Sequence, residues 1–243
     1  MVVVVRGVWA FTHLSRPPLL STQTHTRTHT HVPHSWGGDA LCHHGSYYTC
    51  ADRFLPSSLV GHKWENALTL DLQSWGWRRN AVLSDFMTTA QLIAQVVQTT
   101  ALGGNTLINV GPSADGTIAN IFADRLLGLG GWLATNGDAI YATQPWQLAQ
   151  NDTLASVWYT SKGATVYAIL LAWPQHSRLT LVAPTGVVGV TNITMLGAGG
   201  VTLPWEPLGA AGAPGVVISL DATGVFLPGS PLATTSAWVV KID

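Results

Sequence analysis

Gly103-Gly104-Asn105-Thr106-Leu107-Ile108-Asn109-Val110-Gly111-Pro112 is the stretch on which the fold turns. Its centre, residues 105–110, is a short, mostly apolar run between glycines. That pattern predicts a strand buried on both faces of a parallel sheet. Upstream, Thr88-x-x-Gln91 has capping-box spacing and opens a segment with Leu92, Ile93, Val96 and Val97 on one helical face. Gly103-Gly104 ends that helix. Trp64 to Leu72 predicts an earlier strand. Beyond the turn at Gly111-Pro112 and Asp115-Gly116, a second helix carries Ile118, Ile121, Phe122, Leu126, Leu129 and Trp132 and ends near Asn136-Gly137. Strand–helix–strand–helix is the repeat unit of an α/β sheet or barrel.

From about residue 145 the period changes to two. Residues 156–160 and 165–173 flank Ser161-Lys162-Gly163, a hairpin signal. Further short strands are expected at 179–182, 192–196, 216–220 and 237–242. Short strands without intervening helices predict a β-sandwich. Two α/β units do not close a barrel, which takes eight of them in about 250 residues.

Composition narrows the class. The chain has 243 residues, 47% hydrophobic and 9% charged, with formal net charge -1. Whole-chain disorder needs low hydrophobicity and high net charge, so it is excluded. A nucleic-acid binder needs an excess of Lys and Arg that is absent. The longest clean apolar run, 166–173, is far below the roughly 20 residues of a membrane span. Eleven Trp fit either sugar stacking or ordinary core packing.

The first 35 residues stand apart. Seven of nine His lie before residue 45, and 24–31 nearly alternates Thr and His. Alternating CA dinucleotides translate as His-Thr repeats, so residues 1–35 read as a foreign, low-complexity leader without order. Val2 to Val5 is apolar, but Arg6 interrupts it before a secretory signal is formed. Cys42 and Cys50 are read either as a local disulfide or as two separate thiols. The sequons at Asn151 and Asn192 favour a secretory route and the disulfide.

Residues from about Trp36 to Asp243 resemble the C-terminal half of animal-type, lysosomal alpha-L-fucosidases, which are retaining glycoside hydrolases. Pro56-x-x-Leu59-x-x-x-Lys63-Trp64-Glu65 looks like the family signature, with Ala67 where the family carries Cys. Cys42-His43-His44-Gly45, Ser74-Trp75-Gly76-Trp77-Arg78-Arg79, Asn109-Val110-Gly111-Pro112 and Trp158-Tyr159-Thr160-Ser161-Lys162-Gly163 support it in order. The resemblance implies the last strands and helices of a TIM-like (β/α)8 barrel over 36–144, then an antiparallel β-sandwich over 145–243. It implies release of terminal L-fucose from glycoconjugates, fucosylated glycans as substrates, a lysosomal or secreted setting, and neither cofactor nor metal. It leaves homo-oligomers open and implies no nucleic-acid partner.

Retaining hydrolysis uses two carboxyl groups about 5–5.5 Å apart. The family's nucleophilic Asp has no counterpart here. Its N-D-R-W-G segment reads Pro33-His34-Ser35-Trp36-Gly37. Some members carry Glu after the second Cys, where this chain has Ala51 with Asp52 beside it. Asp52 and Glu65 are therefore the candidate catalytic carboxylates. Asp52 competes with the reading of a solvated loop carboxylate, and Glu65 with that of a structural partner of Lys63, Arg78 or Arg79. His43, His44, Trp64, Trp75 and Trp77 are the candidate substrate contacts, with core packing the rival reading for the tryptophans. The chain alone is expected to be inactive and poorly soluble. A non-catalytic β-sandwich that binds glycans or a partner protein is the alternative, and an erroneous gene model the third.

Overall fold

The computed structural model describes residues 2–5, 47–154, 156–183, 192–209, 215–223 and 236–243. In chain order the elements are β1 (Val2–Val5), β2 (Glu65–Thr69), α1 (Thr89–Ala101), β3 (Asn105–Asn109), α2 (Asn120–Asn136), β4 (Gln144–Pro145), β5 (Val157–Lys162), β6 (Thr165–Leu170), β7 (Arg178–Leu181), β8 (Ile193–Met195), β9 (Trp205–Pro207), β10 (Val216–Ser219) and β11 (Trp238–Ile242).

β2 and β3 pair in parallel, Glu65 opposite Asn105 and Thr69 opposite Asn109. The helix between them starts at the expected capping box. Thr88 Oγ1 accepts from the Gln91 amide, and the Gln91 side chain accepts from the Thr88 amide. Two of the four orphan donors of the first turn are thereby satisfied. On the outer edge of β2 the chain at 48–53 runs alongside, with the Glu65 amide donating to Tyr48 O and the Arg53 amide to Ala67 O. β1 pairs antiparallel with the other edge of β3, Val2 opposite Asn109. Four residues of the expected disordered leader are therefore strand. Residues 6–46 lie outside the described part.

Burial sorts the strands. β2 is buried along residues 66–69, whereas β3 alternates, with Thr106 and Ile108 buried and Asn105, Leu107 and Asn109 half-buried. The expectation that 105–110 is buried on both faces is thus corrected. Its helix-facing side packs on α1 and α2, while its other side keeps solvent contact. Ile118 lies ahead of α2, which begins at Asn120.

A five-stranded sheet in the order β4-β5-β6-β11-β8 and a three-stranded sheet in the order β7-β10-β9 form the sandwich. β4 and β9, two and three residues long, carry no pattern that predicts them. Alternation along the five-stranded sheet builds two cores at once. Tyr167, Ile169 and Val239 join Leu92, Val96, Val97, Leu129 and Trp132 of the helices. Ala168, Leu170, Val240 and Ile242 face Leu179, Leu181 and Ile218 of the three-stranded sheet. Successive strand residues point to opposite faces, so one sheet serves both layers. Trp132 Nε1 donates to Ala237 O at 3.0 Å and Thr160 Oγ1 to Ala139 O at 2.7 Å, tying the α/β part to the sandwich. β4 belongs to the sandwich sheet although it opens at Gln144. Ile169 is fully buried in the shared core. Ile169→Ala is expected to cost about 3 kcal/mol, read as a lower midpoint in urea unfolding, with both parts of the protein unfolding together. Two separate transitions would contradict the shared core.

Candidate active site

In parallel α/β arrangements functional groups gather at the C-terminal ends of the strands. Here β2 ends at Thr69 and β3 at Asn109. Asn109 Nδ2 donates to Thr69 Oγ1 at 3.1 Å and to Trp75 O at 2.7 Å, so one amide links both strand ends to the loop that follows β2. Gly111 lets that loop lie down. A Cβ there would stand 2.5 Å from the Trp77 amide nitrogen and 2.6 Å from Gly76 C. The loop arrives with Trp75 half-buried and Trp77 40% exposed.

Asp71 anchors this loop, and sequence reasoning missed it. Its side chain is nearly fully buried. Arg78 Nε and Nη2 donate to its two oxygens at 2.9 and 2.8 Å, and Arg78 Nη2 also reaches Asp85 at 2.9 Å. Burial alone would raise the Asp71 carboxyl, but Arg78 and the amides of Gln73 and Ser74 outweigh it and hold the group below its usual range. Asp85 is lowered by the Val82 amide and by Arg78. The available signal was Asp71-x6-Arg78 across a loop. It carries no periodicity and gives no spacing rule.

Asp52 is exposed, and its carboxylate accepts the Trp75 indole N–H at 2.7 Å. The expected solvated carboxylate therefore has a defined partner on the strand-end side. Glu65 opens β2 at the opposite end of that strand. It is half-buried, and burial raises its carboxyl above the ordinary glutamate value. It in turn helps to raise the neighbouring Tyr47 phenol, for which burial is the larger cause. The structural partner expected for Glu65 is corrected: Arg78 is committed to Asp71 and Asp85, and no described cation forms an ion pair with Glu65.

Trp64 is corrected too. It is 1% exposed, its indole N–H donates to Leu102 O at 3.1 Å, and a Cβ on Gly104 would come within 2.5 Å of its ring. Such an enclosed ring packs the core and offers no face to a sugar. Ala67 is buried within β2. Cys50 is disulfide-bonded, while Cys42, His43 and His44 lie outside the described residues. Asn151 is exposed, and Asn192 is half-buried with its side-chain oxygen bonded to Thr202. Among the described residues no three His, Cys, Asp or Glu side chains gather where they could hold a metal.

The alpha-L-fucosidase family model matches residues 9–138, and that of the alpha-L-fucosidase C-terminal domain matches residues 150–243. The chain belongs to the alpha-L-fucosidase family. The first match begins inside the segment read as a foreign leader. Tissue alpha-L-fucosidase of Homo sapiens is 46% identical over 207 residues, covering 85% of this chain and 42% of that protein. Plasma alpha-L-fucosidase of Homo sapiens is 48% identical over 167 residues, covering 68% and 36%. The Thermotoga maritima alpha-fucosidase in complex with fucose superposes with a TM-score of 0.64 at 27% identity, over 82% of this chain and 43% of that one. This fucosidase-family chain thus spans less than half the length of the curated relatives it matches.

Two variants test the electrostatics. Asp71→Asn is expected to cost on the order of 2 kcal/mol at neutral pH, because Arg78 loses its buried acceptor. The loss should shrink in acid as the parent's own Asp71 protonates, since a lowered carboxyl contributes stability above its ordinary value of 3.8 and loses it as pH falls through the lowered one. Glu65 has the opposite sign. Its raised carboxyl favours the folded state below the ordinary value of 4.5, and that contribution fades as pH rises through the raised value. Glu65→Gln should therefore gain stability relative to the parent between pH 4.5 and neutrality in urea titrations; a relative loss over that window would show Glu65 to be charge-paired.

Proposed function

We propose that this chain serves alpha-L-fucosidase-type retaining hydrolysis, the release of terminal L-fucose from fucosylated glycans. The strand-end loop contributes the sugar-contacting side. The observation that supports this most is the exposed Trp77 beside Trp75, on a loop fixed by Asn109 and Gly111 and anchored by the Asp71–Arg78–Asp85 cluster. An indole face stacks on the C–H face of a sugar ring, and Asp52 stands next to it through the Trp75 N–H.

The two halves of the chemistry need different carboxyl environments. A general acid must be raised in pKa, while the nucleophile stays ionised. Asp71 and Asp85 share Arg78, but both are held low, and Asp71 is buried against it. They suit an anchor and cannot supply the acid. Asp52, held beside the loop, is the carboxylate placed to meet substrate, and Ala51 offers no carboxyl where some family members carry Glu. Glu65 opens β2 at the end away from this loop, and we assign it no contact with substrate. We further propose that the 243-residue chain by itself does not turn over fucosides and that it acts in a lysosomal or secreted setting. Among the described residues no helix is long and apolar enough to cross a membrane.

An aryl α-L-fucoside incubated with the purified chain is expected to release no phenol above the uncatalysed rate. Steady release that saturates with substrate would overturn the proposed inactivity. Free L-fucose should still bind, weakly, in ligand-observed NMR, and Trp77→Ala should reduce that binding by about tenfold, the loss of one stacking contact. Equal binding by the variant would remove the strand-end loop from the substrate site.

A further inference from the structure

Among the described residues the half-buried Lys and Arg side chains are Arg53, Arg78, Arg125 and Lys241. All but the first are paired: Arg78 with Asp71 and Asp85, Arg125 with Asp124, and Lys241 with Asp243. Arg53 has no described carboxylate partner. Its Nη2 donates to Asp71 O at 3.1 Å, and its Nε is buried without an acceptor. Holding a charge and an N–H unmatched away from water costs stability. The backbone adds to that cost, because Arg53 sits in the left-handed region at φ 54°, where glycine is the usual residue. Such strain persists only where the surrounding structure imposes it, and it clusters at ligand sites.

Arg53 lies at the same strand end as the proposed fucosidase-type site. Its amide donates to Ala67 O within β2, and its Nη2 reaches Asp71, just beyond the end of that strand. The preceding residue is Asp52, whose carboxylate accepts the Trp75 indole N–H at 2.7 Å. Consecutive side chains thus reach separate points of the loop that carries Trp77. A structural latch would account for the bond to Asp71 O, but a neutral donor would make that bond as well. The latch leaves the unpaired charge, the unmatched N–H and the strained backbone without a reason. Sugar recognition supplies one. A guanidinium presents its N–H donors in one rigid plane, a geometry that serves neighbouring hydroxyls. An anionic ligand is disfavoured, because Asp52, Asp71 and Asp85 balance Arg53, Arg78 and Arg79 around the loop, leaving no net charge to gather one.

We infer that Arg53 is a substrate-binding residue, its guanidinium donating to hydroxyls of the fucosyl residue held at this strand end. The inference rests on the proposed strand-end site. The full chain, titrated with L-fucose and followed by proton–nitrogen NMR, tests it. The Arg53 Nε–H signal, assigned by its loss in Arg53→Gly and Arg53→Lys, should move as L-fucose is added and stay still with inorganic phosphate. Arg53→Gly suits the left-handed backbone, so its midpoint in urea unfolding should match the parent while fucose affinity falls by at least about tenfold. Arg53→Lys keeps the charge without the planar fork and should recover part of that affinity. An unmoved Nε–H signal, unchanged affinity in Arg53→Gly, or a response to phosphate alone would overturn the inference. So would a loss of affinity that tracks a fall in the midpoint. In each of those cases the strand-end reading still stands if Trp77→Ala weakens fucose. Conversely, a shifted Nε–H signal beside a Trp77→Ala variant that binds like the parent would remove the Trp77 loop from the site and keep Arg53. No fucose binding by the parent would overturn both.

Discussion

Everything in this molecule hangs on one sheet that is buried on both sides. In the order β4-β5-β6-β11-β8, it sends Tyr167, Ile169 and Val239 toward the two helices and Ala168, Leu170 and Val240 toward the smaller sheet. Neither the pair β2–β3 with its helices nor the three-stranded sheet covers its own apolar face. Each uses the five-stranded sheet as its wall. The hydrogen bonds from Trp132 to Ala237 and from Thr160 to Ala139 register the two parts against each other. The low charge of the C-terminal region follows from this constraint, because strands covered on both faces have little solvent side on which to carry charge.

The strand-end loop depends on that frame in a chain of short steps. Helices α1 and α2, held against the sheet, hold β2 and β3 in parallel register. The strand ends then bring Thr69 and Asn109 together, and Asn109 captures Trp75 O. Gly111 admits the backbone of Gly76 and Trp77, and Arg78 closes the loop onto Asp71 and Asp85. The loop is thus placed by backbone and charge contacts, which leaves the Trp77 ring exposed. The same logic separates Asp52, on the loop side, from Glu65, which opens β2 at the far end and pairs with no described cation.

Much of the secondary structure was legible beforehand because it rests on local signals. The Thr88/Gln91 capping box, the period of α1 and α2 and the hairpin signal at Ser161-Lys162-Gly163 all act within a few residues. What was misread depends on neighbours. Trp64 reads equally as a sugar platform or as core, and the contact of its N–H with Leu102 O, 38 residues away, decides for the core. The half-buried side of β3 has no local signal, because Leu107 and Ile108 have the same chemistry and differ only in what stands opposite them. Strands β4 and β9 are too short for any period to show.

By itself the sequence determined the family, the change from α/β to β pattern and the order of the longer elements, since periodicity, turn residues and motif spacing are properties of the chain alone. Tertiary structure decided which carboxylates are anchors and which face solvent, because Asp71, Asp85 and Arg78 become partners only when the loop folds back. It also decided where the charges go. Arg178, Glu206 and Asp221 are spread over 44 residues of an otherwise uncharged sequence. Arg178 and Glu206 meet because antiparallel pairing brings β7 and β9 to either side of β10. Such proximity is set by hydrogen-bond register between distant segments, and no local pattern encodes it.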